Sequence, residues 1–105
     1  MGYSTLNAVK ERLGIDPADT TQDTVLTNKI AAADAIIDNV LQAYTDVPLA
    51  SPPQLIQDIS ADLAAALYRE DRGPPEAGGA FRQRAEKALE AYITQTYRQV
   101  GFEKT

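Results

Sequence analysis

Apolar residues recur at helical spacing in four stretches, and the glycines and prolines fall between them. Leu6, Val9 and Leu13 predict a first helix over about residues 5–13, with Ser4 placed to cap it and Gly14 supplying a left-handed exit. An Asp16-Pro17 turn and the cap-capable cluster Asp19-Thr20-Thr21 follow. A long helix is then expected from about Gln22 to Tyr44, roughly 35 Å at about 1.5 Å per residue. Leu26, Ile30, Ala33, Ile37, Leu41 and Tyr44 form one apolar stripe along it. Val25, Ala32, Ile36 and Ala43 form a second, rotated by roughly 100°. So wide an apolar arc predicts a helix that is either central in its own domain or buried against another copy.

Val47 and Leu49 in the next connection are apolar enough to pack down. Ser51-Pro52-Pro53-Gln54 announces a third helix, with Ser51 as cap, Pro52 at the first helical position and Gln54 completing a capping box. Leu55, Ile59, Leu63, Ala66 and Leu67 make its expected buried face, with Asp58, Asp62, Ala65 and Arg69 opposite. The run from Gly73 to Gly79 is too rich in breakers to be helical. A fourth helix is expected over about residues 80–99, burying Phe81, Ala85, Ala88, Leu89, Tyr92 and Ile93, with Arg82/Glu86 and Lys87/Glu90 on more exposed faces. No stretch alternates with period two, and no repeat or low-complexity tract interrupts the pattern. The expected architecture is all-α: a small bundle of four main helices over residues 1–93, followed by an extended C-terminal arm over residues 94–105.

Composition narrows the function. At 105 residues a single domain is expected, and 44% apolar with 24% charged residues is ordinary globular usage. The net charge of −5 argues against a general duplex-binding surface. The absence of Cys and His removes disulfides, thiolate and imidazole metal sites, cysteine nucleophiles and histidine acid/base chemistry. No apolar run approaches the roughly 18 residues of a membrane span and the N-terminus lacks a signal-peptide pattern, so an intracellular, soluble product is expected.

Charge is uneven. Residues 13–68 carry eight acids and only Lys29, which leaves the two ends together positive. Either these acids solvate outer helix faces or they form a negative wall. Asp34/Asp38, Asp58/Asp62 and Glu86/Glu90 are i,i+4 pairs, and carboxylates in such pairs can in principle ligate metals or transfer protons. Helical metal cages, however, aim several carboxylates into the core, whereas these lie beside or opposite the apolar stripes. They read as solvated acids, with no metal or cofactor expected. No phosphate loop, nucleophile elbow or EF-hand spacing is present, so an enzyme is not expected. Of the five tyrosines, Tyr44 and Tyr92 fall on buried stripes, while Tyr68 and Tyr97 read equally as interface or plain surface. Residues 94–105 carry Tyr97, Val100 and Phe102 beyond what a compact core needs, so they read as a frayed end or as an arm that orders on a neighbour.

Three stretches carry a family resemblance. One is Ala33-Asp34, Ile37-Asp38, Leu41 and Tyr44 followed by Val47-Pro48-Leu49. The second is Pro52-Pro53, Leu55, Asp58-Ile59, Leu63, Leu67-Tyr68 and Arg72. The third is Arg84, Ala88-Leu89, Tyr92-Ile93 and Gly101. Over roughly residues 26–101 the chain resembles the head-tail connector (adaptor, or head-completion) proteins of tailed bacteriophages, nearest their Mu-like branch. Leu6, Val9-Lys10 and Leu13-Gly14-Ile15-Asp16 resemble the opening helix of related connectors. The Gly78-Gly79 insertion departs from the tighter loop expected there.

The resemblance implies a non-enzymatic virion protein of the neck, made in the host cytoplasm. It would form a homo-oligomeric ring, expected to be a dodecamer, beneath the portal protein, extend the DNA channel, and present a platform to a stopper or tail-completion protein, with no membrane partner. On that footing Tyr97, Val100 and Phe102 are candidates for portal binding and Val25, Ile36 and Tyr68 for the subunit interface. Asp34, Asp38, Asp58 and Asp62 are candidates for a channel-facing wall past which DNA slides without specific binding. The alternative is a small cytoplasmic helical module that binds one partner through the same second stripe.

Overall fold

A computed structural model of the chain describes residues 2–98. The fold is all-α, with helices α1 (Leu6–Leu13), α2 (Asp23–Leu41), α3 (Gln54–Arg72) and α4 (Gly79–Ile93). A 3-10 turn over Pro75–Gly78 leads into α4, and a π-helical turn over Thr94–Arg98 prolongs it.

Each helix end has a local cause, and several differ from the sequence expectation. The α1 cap is Thr5, whose Oγ1 accepts from the Ala8 N–H at 3.1 Å. Ser4 turns inward instead, and Gly14 takes the left-handed exit at φ 73°. α2 stops at Leu41, three residues short of the expected end, so Tyr44 leaves the buried stripe and is 39% exposed. The capping box at Ser51 does not form. Pro53 restricts the residue before it to extended conformations, so Pro52 cannot serve as a first helical residue. Pro53 itself is the extended N-cap, and Gln54 donates to Asp58 instead. The breaker-rich run is not wholly irregular, because Pro75 suits the first position of the 3-10 turn.

The centre of the fold is α3, not α2. Nine of its residues are buried, including the consecutive run from Ser60 to Ala66, because α1, α2 and α4 all pack on it. Alanine at 61, 64, 65 and 66 permits this close approach from several sides. The expected two-sided α3 therefore needs correcting: Asp62 and Ala65 are buried, whereas Leu55 is exposed. The first stripe of α2, from Leu26 to Leu41, is enclosed against α3. Val47 and Leu49 pack on the core as expected. The buried face of α4 is Ala85, Leu89 and Ile93, with Phe81, Ala88 and Tyr92 partly covered.

Ion pairs fix the flanking helices. Arg82 bonds Glu70 through two nitrogens, at 2.7 and 2.8 Å, tying the start of α4 to the end of α3 and holding the Glu70 carboxyl below its usual range. The nearly inaccessible Lys10 reaches Asp23 at 2.8 Å and the Pro17 carbonyl at 3.2 Å, which pins the α1–α2 connection. The resulting slab measures 51 × 28 × 18 Å. Its thinnest dimension is less than two helix diameters of about 10–12 Å. In so thin a layer, α2 and α4 lean on α3 rather than on each other.

Candidate interaction surface

The space between α2 and α4 is an open apolar groove. Ile59 and Leu63 of α3 form its floor, Ile36 and Val40 its α2 wall, and Ala85 and Leu89 its α4 wall, with Arg82 and Glu86 at the rim. It encloses about 150 Å³, the size of a cavity that takes one benzene ring. Ile36 and Val40 remain 39% and 38% exposed. A shallower continuation is lined by Val40, Leu89, Glu90 and Ile93. One turn beyond Val40 and Ile93, Tyr44 and Tyr97 stack with ring centroids 5.4 Å apart, and Tyr92 meets Tyr97 edge-on at 6.0 Å. Burial and the Tyr97 hydroxyl push the Tyr92 phenol above its usual pKa. This tyrosine cluster joins the C-terminal ends of α2 and α4.

The residues singled out in the sequence thus scatter. Ile36 lies in the groove, and half-buried Val25 sits on the same side of α2 three turns earlier. Tyr68 stands elsewhere, its hydroxyl donating to Gln22 at 3.3 Å and its ring covered by the Arg72 guanidinium at 4.4 Å. Tyr97 packs on Tyr44 of its own chain, while Val100 and Phe102 lie outside the described residues.

The four aspartates do not form one solvated wall. Asp62 is 5% exposed and sits between two arginines: Oδ1 accepts from Arg12 Nε at 2.6 Å and from an Arg84 terminal nitrogen at 2.8 Å, and Oδ2 accepts from Arg84 Nε at 2.9 Å. That fork raises the Arg84 pKa. Asp34 accepts from the Tyr3 N–H at 2.9 Å and the Ser60 hydroxyl at 2.7 Å, and Asp38 accepts from the Tyr3 hydroxyl. With the Ser60 proton committed to Asp34, Ser4 donates to Ser60 at 2.8 Å. Asp58, half-buried, lies 3.6 Å from Arg12. Of the three i,i+4 pairs, Glu86/Glu90 is the one whose two members are both exposed, while Asp58 is half-exposed beside a buried Asp62. Among the described residues, no group of three or more carboxylates is arranged to hold a metal ion.

Sequence reasoning passed over Tyr3, the hub of this network. Its hydroxyl also accepts from the Leu49 N–H at 2.9 Å, joining the N-terminal segment to α2 and to the α2–α3 loop. Burial, then donation to Asp38, pushes the Tyr3 phenol up to about 12 from 10. A raised folded-state pKa favours the native state below the unfolded value, and the benefit disappears as pH rises through the folded value. Wild-type stability, read as the urea midpoint, should therefore fall between pH 10 and 12. Tyr3→Phe should lack that component of the fall and lose about 1–3 kcal/mol at neutral pH, because Leu49 and Asp38 lose their partner. Parallel pH profiles for the two proteins would contradict the network.

No helix among the described residues is long and apolar enough to cross a membrane. Comparison with curated proteins and with solved structures yields no match in either case. The profile of the family described as bacteriophage Mu, Gp36 matches residues 1–100, nearly the whole chain. With three helices packed on a central α3 and a match that runs from the N-terminal segment past the tyrosine cluster, the chain belongs to the bacteriophage Mu Gp36 family.

Proposed function

We propose that this chain is a structural subunit of the phage neck, forming a homo-oligomeric ring between the portal and the stopper or tail and extending the DNA channel. The observation that carries this reading is the uncovered second stripe of α2. The fold encloses Leu26, Ile30, Ala33, Ile37 and Leu41 but leaves Ile36 of the second stripe, together with its neighbour Val40, beside an open groove. In a phage protein, repeated copies of the chain are the natural cover for such a face. The role is non-catalytic, in keeping with a chain that has neither Cys nor His.

Passage of DNA without adhesion now rests on the net charge of −5 per copy, multiplied around a ring, rather than on four aspartates of which Asp62 is internal. Portal docking by the C-terminal arm falls to residues beyond Tyr97, since Tyr97 is engaged within its own chain. Electron microscopy of the purified chain mixed with its portal tests the reading. A ring of density seated under the portal is expected, and a truncation after residue 98 should fold but fail to co-purify with portal. Portal that remains bare at saturating subunit would refute the ring, and a truncation that still binds portal would refute the arm.

A further inference from the structure

We propose that the α2–α4 groove of one copy receives the Tyr68–Arg72 face of a second copy of this chain, an inference that rests on the ring reading and specifies its contact. A closed ring of identical subunits needs two different patches that fit each other from opposite sides of the molecule. The structure supplies such a pair. Tyr68 and Arg72 stand nine residues beyond the floor residues Ile59 and Leu63, which is two and a half turns at about 3.6 residues per turn. They therefore face away from the groove across α3.

The two faces are also complementary in their unpaired charge, since Arg82 on the groove rim is matched by Glu70 and Asp71 beside Arg72 is matched by Lys29. On the groove side Glu86 is held only at 3.5 Å by Arg82, and Glu90 has no cationic partner among the described residues. On the other side the Arg72 guanidinium stands 4.4 Å over the Tyr68 ring and donates to Gln22 Oε1 at 2.6 Å, while Arg69, about a quarter turn round α3 toward α4, stands 5.0 Å over the Phe81 ring. Neither arginine has a carboxylate partner among the described residues. An arginine stacked on an aromatic ring presents a flat, partly apolar cation, a type of surface enriched in protein interfaces. Copies that each carry −5 repel one another, so a contact between them is favoured where local charges of opposite sign meet. The uncovered Ile36 and Val40 would supply the apolar centre and Glu86 and Glu90 the rim.

Charge exchange in full-length chains, with assembly on portal read by sedimentation and electron microscopy, tests the pairing. One variant carries Glu86→Arg with Glu90→Arg, and the other carries Arg69→Glu with Arg72→Glu; circular dichroism verifies that both remain helical. Each alone should lose self-association by roughly 10- to 100-fold. An equimolar mixture should regain it, because the basic groove of one variant then meets the acidic face of the other. Loss in both variants without recovery in the mixture would overturn the pairing, as would intact assembly of either variant alone. Loss of portal binding by the groove variant with its self-association unchanged would also overturn it, by assigning the groove to portal. In each of these cases the ring reading survives. If the wild-type chain forms no multimer even on portal, the ring reading fails first and takes this contact with it.

Discussion

Asp62→Ala should destabilise the protein by about 3 kcal/mol, measured by urea denaturation. Removing one partner of a buried ion pair typically costs about 3–5 kcal/mol, because the other charge is left without compensation. Two cations are stranded here, but unequally. The Arg12 side chain is largely covered, whereas that of Arg84 is 61% exposed and can recover water, which places the effect at the low end of the range. For a domain of ordinary marginal stability, about 5–15 kcal/mol, this is a large fraction. The internal control is Asp58→Ala, which removes a half-exposed carboxylate 3.6 Å from Arg12 and should stay within about 1 kcal/mol of wild type. Equal effects for the two variants would mean that Asp62 is hydrated in solution, and a water-facing role for it would return.

The contrast between these two aspartates shows how far the sequence could be read. Asp58 and Asp62 are an i,i+4 pair, and periodicity alone assigns both to the wet side of α3. That assignment assumes a helix with one buried face. Burial on several sides is decided by helices whose contacts with Asp62 lie 50 and 22 residues away in sequence, at Arg12 and Arg84. Pairings at that separation leave no periodic trace. Lys10 and Tyr3 escaped for the same reason, their partners being set by the path of a loop and of the N-terminal segment. What local pattern does control was legible: the four helices, the left-handed Gly14, the enclosed stripe of α2 and the outward position of Ile36. The capping box at Ser51 is the instructive failure, because its motif was complete yet Pro53 forbade the helical conformation that Pro52 required.

The Gly78-Gly79 pair predicts the second large effect, with opposite signs at adjacent positions. A Cβ on Gly78 would lie 2.5 Å from the Ala66 carbonyl oxygen and 2.9 Å from its Cα. These are backbone atoms in the middle of α3 and cannot swing aside as a side-chain tip would. Relief would require the start of α4 to lift off α3, at a cost near or above the upper end of the roughly 1–3 kcal/mol seen for overpacking. Gly79 has ordinary helical dihedrals, φ −54° and ψ −47°, and nothing within 4 Å of an added Cβ. Gly79→Ala should therefore stabilise by about 0.4–1 kcal/mol by restricting the unfolded chain. Thermal unfolding of the two single variants would show Gly78→Ala well below wild type and Gly79→Ala slightly above it. The insertion that departs from the expected loop thus has a packing cause, since glycine at 78 lets the chain cross the α3 backbone closely enough to seat α4. Because α4 supplies one wall of the groove, Gly78→Ala should also impair the proposed ring assembly at temperatures where it is still folded, whereas Gly79→Ala should leave it as in wild type. Equal behaviour of the two variants would mean that the close crossing at Ala66 does not set the position of α4.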